Sequence, residues 1–396
     1  MNLDVFCWLL SKPGQTLLAE AMQCDLRESE RLRVLTHLRK HGTVEQATTA
    51  YDTALLRQRA AHKFARANEM FFTREALEQA SGEHIAAYRA NRFAAYECVG
   101  DFCCGIGGDA LALAQRTQVH AVDLDPLRLA MARENARVHG LQDRVKFIEA
   151  DLMQMLLPPL EAIFFDPARR VAGKRLFKLA DYVPPVSLVN NWRKQVKLIG
   201  VKVAPGIGDG EIAALRDAEV EFISVDGDLK EAVLWFGEGV ALMQRPGRRA
   251  TLLTSGSRIT RYASQITPAT TISEPLAYLY EPDPAIIRAH LVADLAQEIG
   301  AAQLDAQIAY LTSAQLNKTP LARCWRVIEW LPFHLKTLRA RLRALDAGAV
   351  TVKKRGSPLD TDALARQLSG VGARELVAVL TKCNDKPIVL ICEGPV

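Results

Sequence analysis

Between Asp101 and Asp125 the chain brings together acids and small residues at a spacing suited to holding a ligand. A short apolar run ends on Asp101, and Cys103, Cys104, Gly105, Gly107 and Gly108 follow. A turn without bulky side chains lets backbone approach a bound molecule closely. Asp123 closes the next apolar run, where an ionised carboxylate can accept both hydrogens of a ribose diol. The turn therefore reads as a nucleoside-cofactor site. Gly105-x-Gly107-x-x-Ala110 formally matches the dinucleotide fingerprint. Carboxylates at Asp101 and Asp109, however, repel a pyrophosphate and suit a ligand bearing a sulfonium and an ammonium. Packing in a tight turn would explain the glycines but not the spaced acids.

Three further groups could take part. Asp125 is either a second ligand contact or the cap of the following helix. Asp151, after the third apolar run, is placed to accept from an adenine amino group, or to cap a short helix; Leu124 and Leu152 could sandwich the ring. Asp166-Pro167-Ala168-Arg169-Arg170 ends the fourth run. In an open α/β sheet ligands lie beyond the carboxyl ends of the strands, so Asp166 is expected to share a crevice with Asp101 and Asp123. Arg169, Arg170, Lys174, Arg175 and Lys178 could hold phosphates or form a solvated basic loop. The eight cysteines form no CxxC or Cys/His set at metal-ligand spacing, so no metal is expected, and scattered thiols fit a reducing cytoplasm. No cysteine or histidine lies in a legible nucleophile–base pair.

The elements that must position these groups follow from apolar periodicity. Residues 1–95 read as helical, over Leu10–Ala21, Glu28–Lys40 and Thr53–Phe71, with Thr43 and Thr73 as N-caps. Strands are expected at Tyr96–Phe102, Val119–Asp123, Val145–Ile148, Ala162–Phe165 and Leu198–Val203, separated by helices, which implies a parallel sheet. Val220–Val225 and Ala232–Phe236, joined through Asp226-Gly227-Asp228, read as a hairpin. Residues 241–283 are rich in Ser, Thr and Arg and read as irregular strands. Beyond Pro284, expected at a helix start, a helix through Ile299, strands at Ile308–Leu311 and Cys324–Glu329, and a basic helix Leu335–Ala344 are expected. Strand Val350–Lys354, helix Asp360–Leu368 and strands Leu376–Lys382 and Pro387–Cys392 complete an α+β unit.

In 396 residues, 24% are charged, mean hydropathy is near zero, and no apolar run approaches the ~20 residues of a membrane helix, so no membrane association is expected. The N-terminus shows neither a basic lead-in nor a convincing cleavage site. From Arg245 onward there are 20 Lys/Arg against 13 Asp/Glu, whereas the preceding residues hold 30 against 32. A basic C-terminal third suits an anionic macromolecule, or a solvated basic face. Lys353, Lys354 and Arg355, followed by Gly356, form one basic cluster, and Lys336, Arg339 and Arg343 share a face of the basic helix.

Asp101-x-Cys103-x-Gly105-x-Gly107 resembles the first motif of class I S-adenosylmethionine-dependent methyltransferases. Residues 71–240 are similar to their trimethylguanosine-synthase-like branch, through Phe72-Thr73, Gly82-Glu-His-Ile-Ala86, Asp101–Gly108 and Val122-Asp-Leu-Asp-Pro126. The whole chain resembles bacterial methyltransferases with a C-terminal THUMP-like domain. Glu281-Pro-Asp-Pro284, Ala309-Tyr-Leu-Thr312, Glu329-Trp-Leu-Pro-Phe333 and Val352-Lys-Lys-Arg-Gly356 carry that part. The resemblance implies a Rossmann-like α/β fold with a seven-stranded sheet, a helical cap at 1–95, a methyltransferase domain at 96–240, a connector at 241–283 and a THUMP-like domain at 284–396. It implies S-adenosylmethionine as cofactor, held by Thr73, Asp101, Cys103, Gly105, Gly107, Asp109, Asp123, Leu124, Asp151 and Leu152. Asp166 and Pro167 would orient the acceptor, and Arg169, Arg170, Lys353, Lys354 and Arg355 would hold RNA. Amino-group methyltransferases often carry Asp/Asn/Ser-Pro-Pro-aromatic at this place; here Ala168 and Arg169 replace the second proline and the ring. A small-molecule or protein methyltransferase, and an RNA-binding protein with an inactive methyltransferase fold, are the alternative readings.

Overall fold

The computed structural model describes residues 1–168, 170–171, 174–175, 178–215, 217–240, 247–254, 256–262, 270–356 and 358–396; of 170, 171, 174 and 175 it describes backbone alone. The chain forms two compact units, one of residues 1–214 with 233–240, the other of 215–232 with 241–396.

The first unit is built on parallel strands β1 (Cys98–Phe102), β2 (Gln118–Asp123), β3 (Val145–Glu149), β4 (Ala162–Phe165) and β5 (Leu198–Val203). Their order is β5-β4-β1-β2-β3, all parallel, and the end of β7 (Asp228–Gly237) lies beside β5. The chain reverses direction across the sheet after β3, which opens a crevice at the carboxyl ends of β1 and β4. Register decides what faces what. Asp101 pairs with Ala121 and Phe164, and Phe164 pairs with Gly200. With a side-chain period of two, Asp101, Asp123, Asp166 and Lys202 therefore belong to one face of the sheet. Phe102 and Phe165 take the other face, where the Trp192 ring meets both edge-on at 5.1 Å.

Helix α1 (Leu3–Leu10), α2 (Lys12–Met22), α3 (Arg31–Leu38) and α4 (Val44–Ala60) pack around Phe6, Leu9, Leu18, Leu38 and Tyr51. Thr43 caps α4 in a reciprocal capping box with Gln46, and Thr73 caps α5 (Arg74–Gln79), as their sequence positions imply. The helix expected through Phe71 stops at Ala60 instead. Buried Arg57 donates to the carbonyls of Glu69 and Met70, at 2.9 Å each, and so folds the following segment back against α4. Burial lowers the Arg57 pKa to about 10. Helix α6 (Glu83–Ala90) runs into Phe93, whose ring lies against Phe164 and Trp235. Helices α7 (Gly108–Ala114) and α8 (Pro126–Val138) connect β1 to β2 and β2 to β3.

The second unit begins with β6 (Glu219–Val225), which turns at Asp226 and Gly227, both at positive φ, into the start of β7. That is the expected hairpin, with the two left-handed residues such a turn needs. β8 (Gly247–Thr254) runs parallel to β6, and β9 (Ser257–Tyr262) antiparallel to β8. Arg249 on β8 is buried between Glu219 at 3.1 Å and Glu221 at 2.5 Å. A second sheet contains β10 (Tyr278–Pro282), β11 (Ala302–Asp305), β12 (Ile308–Ser313), β13 (Ala322–Pro332), β14 (Ala347–Lys354), β15 (Arg374–Cys383) and β16 (Lys386–Pro395). Its order is β11-β12-β10-β13-β16-β15-β14. Pro284 starts α9 (Pro284–Arg288), but the helix expected through Ile299 breaks. His290 sits at φ 61°, outside the helical region, and α10 (Val292–Glu298) starts afresh. The basic helix Leu335–Ala344, α11, and α12 (Thr361–Leu368), capped by Asp360, cover one side of the sheet through Leu338, Leu342, Leu364 and Leu368.

Candidate active site

β1 delivers Asp101 into the interior, 1% exposed, and the chain then turns tightly through Cys103, Gly105 and Gly107 at φ 60°, 55° and 86°. Two glycines serve distinct needs. A Cβ on Gly107 would come within 3.2 Å of Ala132 on α8, and the positive φ disfavours any side chain. Gly105 has nothing within 4 Å of the corresponding position, so the turn presents bare backbone to open space there.

Asp123 organises this turn from β2. Its Oδ2 accepts from the Gly105 amide at 2.8 Å and its Oδ1 from the Asp125 amide at 3.0 Å. Each oxygen keeps a second lone pair, so a diol can still be accepted at both. Asp125 caps α8 through the Leu127 and Arg128 amides. Leu124 is 67% exposed, whereas Leu152 is buried. The Ala150 amide donates to the Asp123 carbonyl at 3.2 Å, which sets Asp151 just beyond β2; Asp151 accepts from the Met153 amide at 2.9 Å.

The electrostatics are unusual for an interior. Both Asp101 carboxyl oxygens are buried, with no hydrogen-bond partner among the described residues. Burial, with Asp109 and Asp166 nearby and Asp123 adding to them, pushes the Asp101 carboxyl well above the usual range, against the opposing pull of Arg89. Arg89, itself buried, donates to Asp109 and lies over the Phe164 ring at 4.8 Å. Burial likewise raises the Cys103 and Cys104 thiols, keeping them protonated.

At the end of β4 the Asp166 amide donates to the Phe102 carbonyl at 3.0 Å, seating this residue beside the turn. Lys202 Nζ lies 2.6 Å from Asp166 Oδ2 and 3.1 Å from the Gln79 carbonyl. Pro167 is buried, and Ala168 exchanges two backbone hydrogen bonds with Val183. Arg169 and the side chains of Arg170, Lys174 and Arg175 lie outside the described residues. Helix α5 spans this end of the sheet: Glu75 near its start meets Arg128 of α8 at 3.5 Å, and Gln79 at its end meets Lys202. Thr73, besides capping α5, lines a cavity of about 420 Å³ with Glu45, Thr48, Asp52, Phe72 and Arg74. Buried Asn135 ties the cap to the turn, bonding the Phe71 amide and carbonyl at 2.8 and 3.0 Å and the Ile106 carbonyl at 3.0 Å.

Lys202, Arg89 and Asn135 were not singled out by motif. A lone lysine in the apolar strand LIGVKV was a usable signal for the first, since a buried ammonium needs a partner. In the second unit, Lys353 Nζ lies 2.6 Å from Glu281 Oε2 and 4.9 Å from the Trp325 ring centre. Arg355 meets the same Glu281 at 3.5 Å, and exposed Lys354 donates to the Leu359 carbonyl at 2.6 Å. The eight cysteines are free. Among the described residues, no group of three or more His, Cys, Asp or Glu could hold a metal, and no helix is long and apolar enough to cross a membrane.

An orphaned buried carboxylate, an acid with spare lone pairs and bare backbone at Gly105 suit a cationic nucleoside cofactor. A family model described as RNA cap guanine-N2 methyltransferase matches residues 96–194, one described as THUMP domain-like matches 322–394, and a domain of unknown function matches 2–60. A trimethylguanosine synthase of Schizosaccharomyces pombe is 28% identical over 98 residues, 22% of this chain and 41% of that protein. A crystal structure of a candidate methyltransferase from Porphyromonas gingivalis W83 shares the fold, with a TM-score of 0.77 and 19% identity, over 96% of this chain and 97% of that one. An uncharacterized S-adenosylmethionine-dependent methyltransferase of Mycobacterium tuberculosis is 38% identical over 357 residues, covering 85% of this chain and 93% of that protein. With that identity along most of both chains, this chain belongs to the S-adenosylmethionine-dependent methyltransferases.

Proposed function

We propose that this methyltransferase acts on RNA, at a base or an exocyclic amine of a nucleotide, in the cytoplasm. The observation that carries the reading is the presence in one chain of a stretch like RNA cap guanine-N2 methyltransferases (96–194) and a stretch like THUMP domains (322–394). On this reading residues 96–240 form the transfer domain under the helical cap 1–95, and 284–396, reached through 241–283, hold the RNA.

S-adenosylmethionine, when bound, supplies an electrophilic methyl on a cationic sulfur. Asp123 accepts from the ribose hydroxyls with the lone pairs its two amide partners leave. Asp151 accepts from the adenine amino group, with Leu124 and Leu152 against the ring. Cys103, Gly105 and Gly107 form the close backbone surface, and Asp101, Asp109 and Thr73 complete the polar surround of the charged end. Asp101 gains most from a cation, since its buried carboxyl has no hydrogen-bond partner among the described residues. Asp166 and the Pro167 carbonyl orient the acceptor nitrogen, and water takes its proton late. The chain's main contribution is alignment of nucleophile and methyl. Arg169, Arg170, Lys353, Lys354 and Arg355 would meet phosphates.

The test compares modified nucleosides by mass spectrometry in RNA from cells with and without this protein. One methylated nucleoside is expected to vanish in its absence; an unchanged RNA profile would remove RNA as the acceptor.

A further inference from the structure

We propose that Lys202 is a positioning residue for methyl transfer, its ammonium holding the Asp166 carboxylate in one orientation and fastening the end of α5 beside it. The inference rests on the reading of Asp166 as the acceptor-orienting group and gives that group a partner.

Lys202 is only 2% exposed, on a strand whose other residues are all buried. An ammonium in that place must be compensated, and an apolar side chain would fill it at lower cost. Its compensation is specific. Nζ is 2.6 Å from Asp166 Oδ2 and 3.1 Å from the Gln79 carbonyl. The sheet register makes this meeting inevitable, because Phe165 pairs with Val201 and the next residues of the two strands come side by side. The Asp166 backbone is independently fixed by the hydrogen bond its amide donates to the Phe102 carbonyl. Main chain and carboxylate are thus held by different strands, β1 and β5. Transfer to an amine needs that rigidity, since displacing a reacting group by about 1 Å costs on the order of 100-fold in rate. The bond to Gln79 extends the same tie to α5, so a shift of that helix would be felt at the carboxylate.

The experiment follows tritiated methyl from S-adenosylmethionine into RNA extracted from cells lacking the protein, with S-adenosylhomocysteine binding measured by calorimetry. Lys202→Met is expected to lower kcat roughly 100-fold, with KM for RNA and the S-adenosylhomocysteine Kd within about threefold of the parent. Lys202→Arg, which keeps the cation, should regain at least about tenfold of that loss. Asp166→Ala should be slow, and the double variant Asp166→Ala with Lys202→Met should be no slower than Asp166→Ala alone, because the lysine acts through the carboxylate. The double variant also removes both charges of the pair together, which folds more readily than stranding one, so the comparison stands even where Lys202→Met alone does not fold. The proposal is overturned by a Lys202→Met enzyme within about threefold of wild-type kcat, or by a double variant slower than Asp166→Ala by the full lysine effect. A fast Asp166→Ala enzyme would instead remove the role of Asp166 itself, and this inference with it.

Discussion

The Gly105 amide donates to Asp123 Oδ2 at 2.8 Å, so the turn after the first strand is held by the acid that ends the second. One hydrogen bond thus ties together two segments 18 residues apart in sequence. Loss of the Asp123 carboxylate removes both hydrogen bonds that shape the turn, those from the Gly105 and Asp125 amides.

Replacing Asp123 with Ala removes charge-assisted hydrogen bonds worth about 1.5–3 kcal/mol, so S-adenosylhomocysteine affinity should fall roughly ten- to hundredfold. Calorimetry on the folded variant checks this. Unchanged affinity would show that Asp123 only builds the turn.

Asp101 makes stability depend on pH in a set direction. Its folded carboxyl is raised above its unfolded value, so the folded chain holds the proton more tightly. That contribution is fully present below the ordinary aspartate range and is lost as pH rises through the raised folded value. Asp101→Asn cannot lose a proton. The variant without cofactor is expected to gain thermal stability over wild type at pH 7.5, with the gain shrinking toward pH 4. Melting temperatures measured across that span test it; a pH-independent difference would contradict it.

Asn135 is fully buried, and its three bonds join Phe71 to Ile106. Asn135→Ala leaves the Phe71 amide and carbonyl without a side-chain partner, at a cost of about 2–4 kcal/mol. Urea unfolding should show that loss, accompanied by weaker cofactor binding because Ile106 lies in the turn. A loss below about 1 kcal/mol would mean the cap is held by apolar packing alone.

In the second unit, Glu281 already engages Lys353 and Arg355. Lys354→Ala should flatten the log–log salt dependence of RNA binding by about 0.7, the value of one single-strand phosphate contact. Glu281→Gln should release two cations and steepen the slope by up to about 1.4. Filter binding over a salt series reads both. If Lys354→Ala leaves the slope unaltered, that lysine is solvated surface.

What was legible in the chain was local. Asp101, Gly105, Gly107 and Asp123 stand close in sequence, and apolar runs set the five parallel strands to within two residues. Thr43, Thr73, Pro284 and Asp360 mark helix starts because caps act within one turn. The partners of Lys202 and Arg89 were hidden, since Asp166 and Asp109 lie 36 and 20 residues away; strand register brings the first pair near and the packing of α6 on α7 the second. The overlong helix through Phe71 and the broken one at His290 failed for the same reason. Arg57 reaching across to Glu69 and Met70, and a single left-handed residue, override propensity that continues past them. Strands β10, YLYEP, and β11, AQLD, carry polar residues or proline that interrupt an apolar run, whereas β4, AIFF, is as short but wholly apolar.

The most direct test of the account is methyl transfer by the purified protein. Tritiated S-adenosylmethionine is offered with RNA from cells lacking the protein, with RNA from cells containing it, and with the protein and small-molecule fractions of the first. Label is expected in RNA from the deficient cells, and little in RNA already modified in the cell. Label entering the protein or small-molecule fraction while both RNAs stay unlabelled would contradict it.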